Sequence, residues 1–270
     1  MELYQFLDSK ITSQEMLEQL SQHIKPNSTL YLESDVATFG RLANPDLGKQ
    51  EFLGELFSIF VRLAGPDGHV IVPTFSYSWG STNKEKIFDV LQTKSKTGTL
   101  SEYVRRREGT IRTIDPMFSF SIFGKRKNEL AKIENNSFGQ GSVFAKMLRE
   151  NAYLISFGLN QYDPTFVHHV EQFSSETFNP CPYRSLVEFK GELINENGQH
   201  HKGSHFCFMR ALGDTHFFSD IKLLRALRQD KLIQTLSIGG GTVHISDCQS
   251  VMSVSTQALK LDPYFFVIKE

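Results

Sequence analysis

The sequence predicts an α/β fold, and three observations carry that reading. Tyr153-Leu154-Ile155-Ser156-Phe157 is a short, aromatic and partly β-branched apolar run that stops at Gly158, as a strand buried at the centre of a sheet does. Two further runs, opening at Thr29 and at His69, are separated by an amphipathic helix over residues 50–63, and a helical crossover implies that the strands it joins lie parallel. A chain of 270 residues is also of ordinary length for such a fold.

The elements follow in order. Met16, Leu17, Leu20 and Ile24 recur at helical spacing, with Thr12 or Ser13 to cap and Glu15 in the first turn, so residues 13–24 read as a surface helix. The strand from Thr29 ends in Glu33, Ser34 and Asp35, and polar groups leaving the carboxyl end of a strand are where open α/β sheets build sites. Phe52, Leu53, Leu56, Phe57, Phe60 and Val61 stripe the crossover helix, which Gly65-Pro66-Asp67-Gly68 ends. The strand from His69 runs straight into Pro73-Thr74-Phe75-Ser76, whose hydroxyls can donate to a carbonyl or phosphate or simply form a turn. Residues 81–97 are polar and read as a flap with a short helix over 84–90. After Gly158, Asp163 suits an N-cap and Pro164 a first helical turn, which makes residues 165–173 helical. An Asn195-Glu196-Asn197-Gly198 turn between alternating segments predicts an antiparallel hairpin. Residues 218–229 form a basic amphipathic helix, and a glycine-rich turn at 239–241 precedes one more strand. That turn is not G-x-G-x-x-G and opens no helix, which argues against a dinucleotide-binding Rossmann fold. A helix over 247–259 and a strand over 262–268 close the chain, with no repeat or linker, so residues 1–270 read as one domain.

Composition excludes several classes. Hydrophobic residues make up 40% and charged residues 22%, with a net charge of −1, which gives no global reason to expect nucleic acid. Cys181, Cys207 and Cys248 form no C-x-x-C pair and suggest buried thiols in a reducing compartment. The N-terminus lacks a basic and apolar leader, and no apolar run is long enough to span a bilayer, so a cytoplasmic protein without membrane attachment is expected.

The candidate chemistry centres on His168 and Glu171. Three apart on a helix, they share a face, whereas His169 points roughly 100° away. A carboxylate beside an imidazole can keep one ring nitrogen protonated and leave the other to accept a proton near neutral pH, which makes a general base. The same spacing also fits a packed, capping histidine. His200, His201 and His205, flanked by Gln, Lys and Ser, read as exposed strand residues, and no metal site is expected. The basic runs Arg105-Arg106-Arg107 and Lys125-Arg126-Lys127 read either as a solvated face or as a rim for phosphates.

Several of these stretches resemble one family. Thr165-Phe166-Val167-His168-His169-Val170-Glu171 is similar to the T-x-x-H-x-x-E signature of the aminoglycoside 3-N-acetyltransferases, antibiotic N-acetyltransferases not of the GNAT type. Pro73-Thr74-Phe75-Ser76, residues 97–124, Ser137 to Ser142, and Pro182-Tyr183-Arg184 resemble further family elements in the same order. Glu33, Asp35 and Asp115 stand where the family has His, Ser and His, and Thr113 replaces a Ser. The resemblance implies a central mixed, largely parallel sheet flanked by helices, and an acyl-CoA-dependent N-acyltransferase of amino sugars. It implies His168 as general base with Glu171 supporting it, and Ser34, Thr74, Phe75, Ser76, Arg112, Thr113 and Ser119 as residues of the acyl-CoA site. Glu33, Asp35, Asp115 and Asp163 are then candidate acceptor contacts.

Two acceptors fit the family. The basic runs and near-neutral charge favour a nucleotide-linked 3-amino deoxysugar of surface polysaccharide synthesis, with an acetyl or short hydroxyacyl donor; the alternative is an aminoglycoside antibiotic. A metal-dependent hydrolase and an inactive coenzyme A-binding protein are readings of other classes. A monomer or homodimer is expected.

Overall fold

The computed structural model describes residues 1–210, 214–219 and 221–269, without the side chain of Lys269. In chain order, β1 (Glu2–Phe6) and β2 (Ser9–Thr12) make a hairpin that leads into α1 (Ser13–Ser21). Thr12 caps α1 reciprocally with Glu15: its hydroxyl accepts from the Glu15 amide, and the Glu15 carboxylate accepts from the Thr12 amide. There follow β3 (Thr29–Ser34), β4 (Arg41–Leu42), α2 (Lys49–Ala64), β5 (His69–Pro73), β6 (Ile87–Asp89), α3 (Thr99–Arg106), β7 (Ile111–Arg112) and β8 (Phe120–Gly124). Next come α4 (Lys127–Ala131), α5 (Val143–Arg149), β9 (Tyr153–Phe157), α6 (Val167–Thr177), β10 (Arg184–Ile194) and β11 (His200–Arg210). The chain finishes with β12 (His216–Phe218), α7 (Ile221–Gln229), β13 (Gln234–Ile238), β14 (Gly241–Asp247), α8 (Cys248–Leu261) and β15 (Val267–Lys269).

A seven-stranded sheet in the order β13-β14-β9-β3-β5-β8-β7 forms the frame. It is mixed, as expected, but not largely parallel: only β9-β3 and β3-β5 pair in parallel, and every other neighbour is antiparallel. The physical reason is that α2 carries the chain across from β3 to β5, whereas β8 and β14 come back from long excursions to lie antiparallel beside β5 and β9, and β7 and β13 pair antiparallel with them in turn. Both faces of the central strands are apolar and alternate. Leu30, Leu32, Val70, Val72, Ile155 and Phe157 pack with α1, α2 and α3, while Tyr31, Ile71 and Leu154 face the layer of α5, α6 and α8.

Two further expectations need correction. Residues 84–90 form no helix; β6 instead pairs in parallel with the far end of β10, beside the Trp79 indole donating to the Glu192 carbonyl at 3.2 Å. The basic helix begins at Ile221 rather than 218, because His216–Phe218 pairs with β15. The hairpin forms as read, with β10 and β11 in unbroken register from Arg184↔Arg210 to Ile194↔His200.

Candidate active site

The parallel strands β3, β5 and β9 all run toward one edge of the sheet, so their exits converge there. Gly158 makes this possible. Its φ of +77° turns the chain out of β9, and a Cβ there would lie 2.2 Å from the Asp35 carbonyl oxygen. A cavity of about 670 Å³ opens at this edge, lined by Glu33, Ser34, Asp35, Phe75, Tyr77, Thr97, Asp163 and Thr165 among others. Three carboxylates therefore face one opening. Glu33 is tied down by the Tyr31 hydroxyl at 2.6 Å and by the Thr165 amide and hydroxyl at 3.1 and 2.7 Å. Burial raises its carboxyl above the ordinary range, and these donors only partly offset that.

The helix that starts at the cavity wall carries the second half of the site. His168 Nδ1 lies 2.7 Å from Glu171 Oε2, and the other carboxylate oxygen accepts from the Tyr183 hydroxyl at 2.6 Å. Arg184 Nε lies 3.0 Å from the same Oε2, an ion pair too oblique for a directed hydrogen bond. Burial pushes the Glu171 carboxyl up, but Arg184 and His168 outweigh it and hold the group below the usual carboxylate range. Burial, reinforced by the Arg184 cation, lowers His168 against the pull of Glu171. The ring is therefore neutral near pH 7, with its proton on Nδ1 and a lone pair on Nε2. Its side chain is 18% exposed, wedged edge-on between Phe138 and Phe218.

His168 and Glu171 do not line the cavity; Thr165 does, and His168 follows one helical turn later. A file of rings connects the two places, from Phe75 to Phe118 at 5.0 Å, to Phe138 at 4.7 Å, to the His168 ring at 5.4 Å. His169 points elsewhere, as its spacing required, and is buried with Nδ1 against the Phe138 carbonyl at 2.6 Å.

The structure sorts the other expected residues. Glu33, Ser34, Asp35, Phe75 and Asp163 come together at the cavity. Thr74, Ser76, Arg112, Thr113 and Ser119 do not line it: all five are buried. Their polar groups serve one another, since the Arg112 guanidinium donates to Ser119 Oγ and to the Thr74, Val90 and Thr93 carbonyls. Ser76 donates to the Pro116 carbonyl, and Thr113 accepts from the Phe120 amide. Asp115 is likewise sealed away from the cavity. Its Oδ2 lies 3.3 Å from His205 Nε2, and Oδ1 accepts from the Met117 and Phe118 amides. His205 is thus buried, not exposed: on β11 it faces inward, where Ser137 Oγ approaches its Nε2 at 3.0 Å. A histidine flanked by polar residues gave no sign of this, because only the register of the hairpin turns it toward Asp115.

The basic runs do not rim the cavity. Lys125, Arg126 and Lys127 sit at the His69 end of β5, opposite the Pro73 end, and bind Asp67, Glu150 and the Gly109 carbonyl respectively. Arg105 pairs with Glu102, and Arg107 lies over Phe57 and Phe123. Among the described residues no three metal-ligating side chains gather, and no helix is long and apolar enough to cross a membrane. Tyr77, Thr97, Tyr183 and Arg184 were not assigned roles from sequence; of these, Tyr183 and Arg184 follow a Pro in a stretch the family shares, which was the available signal.

A model of the aminoglycoside 3-N-acetyltransferase family matches residues 49–260. No curated protein matches the sequence. The fold is similar to that of the aminoglycoside acetyltransferase AAC(3)-IVa apoenzyme, with a TM-score of 0.73 and 16% identity over 97% of this chain and 93% of that one. It is similar to AAC-IIIb in a binary complex with CoASH, with a TM-score of 0.74 and 16% identity over 93% and 97%. The YokD protein of Bacillus subtilis gives a TM-score of 0.72 and 14% identity over 93% and 94%.

Proposed function

Since the match over residues 49–260 makes this chain a member of the aminoglycoside 3-N-acetyltransferase family, we propose that it moves an acetyl group from acetyl-CoA to an amine of an aminoglycoside-type sugar. The observation that carries this is the neutral His168 ring, anchored through Nδ1 by a buried carboxylate so that Nε2 holds the lone pair. An amine near pH 7 is mostly protonated; its free-base form, the ammonium proton lost to solvent, attacks the thioester, and Nε2 accepts the proton that the nitrogen sheds as the C–N bond forms. A neighbouring fold in complex with CoASH supports coenzyme A as the carrier.

The acceptor follows from charge. Glu33, Asp35 and Asp163 around one opening attract a polycation and repel a diphosphate, which favours an aminoglycoside over the nucleotide-linked sugar expected from the basic runs. Those runs lie elsewhere, and Lys125, Arg126 and Arg105 pair with Asp67, Glu150 and Glu102. No cysteine is suited to form an acyl-enzyme: burial raises the Cys181, Cys207 and Cys248 thiols above their ordinary range. Direct attack by the amine needs none of them.

Following thiol release from acetyl-CoA with an aminoglycoside panel, and in parallel with nucleotide-linked amino sugars, tests this. Turnover with aminoglycosides is expected. Turnover confined to the nucleotide-linked sugars overturns the acceptor assignment, and replacing acetyl-CoA with hydroxyacyl-CoA donors tests the acyl group.

A further inference from the structure

We propose that Arg184 is a catalytic residue that binds the thioester carbonyl oxygen and stabilises the oxyanion formed during acyl transfer; the assignment rests on the acyl-transfer reading above. Arg184 opens β10, and its position is fixed by the unbroken register of the hairpin. Its side chain is 7% exposed, so a full positive charge has been taken out of water. Such a charge normally finds directed partners for most of its five N–H groups. Here it finds few. Nη1 donates to the Phe208 carbonyl at 3.2 Å, Nη2 lies 3.5 Å from His168 Nε2 at the limit of hydrogen bonding, and Nε faces Glu171 obliquely without a directed acceptor. An Arg placed only to neutralise Glu171 would bind it as a two-pronged fork. This one turns an edge of its guanidinium past the carboxylate toward the basic nitrogen.

That is where charge develops. The nitrogen that gives its proton to Nε2 is the nitrogen that joins the carbonyl carbon, so the oxygen on that carbon forms two bonds away from a nitrogen held ~3 Å from Nε2. A donor 3.5 Å from Nε2 is within reach of it. The loose Arg–His contact is easily displaced by the arriving amine. Of the backbone amides at the β5 exit, that of Thr74 donates to the Ser119 carbonyl at 2.8 Å.

The step balances with groups present. The amine lone pair forms the C–N bond, the carbonyl π pair moves to oxygen against Arg184, and His168 Nε2 takes the nitrogen's proton. Re-formation of the C=O bond breaks the C–S bond, and the coenzyme A thiolate receives that proton from His168.

The test compares Arg184→Lys and Arg184→Gln with the wild type across pH, with coenzyme A affinity measured by calorimetry. Both variants should lose about 10²- to 10³-fold in kcat on the pH plateau, where His168 is neutral, with coenzyme A affinity nearly unchanged. A purely positioning role predicts otherwise: the acid limb shifts and the plateau stays, and that result overturns the proposal. A measurement without any variant covers the case in which these proteins do not fold. The carbonyl stretch of acetyl-CoA bound to the wild type should move to lower frequency than in water, and an unshifted band overturns the proposal. A wild type that transfers no acetyl group to any amine instead overturns the acyl-transfer reading itself, a result distinct from either.

Discussion

Two of the imidazole–carboxylate pairs among the described residues, His168–Glu171 and His205–Asp115, differ in which nitrogen the carboxylate takes. His168 gives Nδ1 to Glu171 at 2.7 Å, is 18% exposed, and keeps its Nε2 beside only a loose Arg184 contact. His205 has its Nε2 approached by both Asp115 and Ser137, with 4% of its side chain exposed. The first arrangement leaves a lone pair for a substrate; the second occupies the nitrogen that faces its partners and leaves no approach. A carboxylate next to a histidine does not define a base. The orientation of the ring and the nitrogen it leaves available do.

The largest expected effect breaks the first pair. His168→Ala should lower kcat by about 10²- to 10⁴-fold, the range of general base catalysis, with little change in coenzyme A affinity by calorimetry. If an active enzyme loses less than about tenfold, the base lies elsewhere.

Glu171→Gln keeps the shape but removes the charge that orients Nδ1–H, and a loss of about 10- to 100-fold is expected, by analogy with supporting groups around ligating histidines. The pH profile sharpens the point. His168 is lowered by burial and Arg184, so the wild-type acid limb of kcat/KM should fall below the ordinary imidazole value of about 6.5. Since Glu171 pulls that value up, Glu171→Gln should move the limb further toward acid.

The second pair should answer in stability instead. Asp115→Asn leaves the site untouched and removes an acceptor from a sealed cluster, costing about 1–3 kcal/mol in denaturant unfolding with kcat unaltered. Asp115 titrates below its ordinary value because His205 and the Phe118 amide overcome burial. Its contribution is therefore complete above the unfolded carboxyl value of about 3.9 and lost as pH falls through the lowered folded one. The variant should accordingly show a flatter acid dependence of Tm than the wild type. A large kcat loss in Asp115→Asn would mean that this cluster also serves catalysis.

The smallest effect concerns the cavity. Asp35 is exposed, so Asp35→Asn should raise the KM for a polycationic acceptor by up to about fivefold and leave that for acetyl-CoA alone, measured at low salt.

The sequence disclosed what local chemistry controls. Tyr153–Phe157 was legible because an apolar run ending at a glycine has few other fates, and His168 with Glu171 because a three-residue spacing places them on one helical face. Thr12 announced the first helix by capping, whereas Asp247, read as part of the last helix, proves to be its cap. What stayed hidden depends on pairing over long distances. The antiparallel outer strands, the pairing of β6 with β10, and His205 against Asp115 arise from register, which no window of neighbouring residues encodes. Ser34 and Asp35 reached the cavity while Thr74 and Ser119 did not, because the β5 exit folds back over β8, where Thr74 binds the Ser119 carbonyl.

The pairing of β6 with β10 carries one further consequence, for motion. The segment that runs from Tyr77 to Thr97 bounds the acidic opening at both ends, and its middle is a strand of the sheet whose neighbour begins with Arg184. A displacement that widens the entrance therefore pulls on the Glu192–Ile194 end of β10. Amide protons on the two strands, such as those of Val90 and Glu192, should then exchange with solvent in a single opening event.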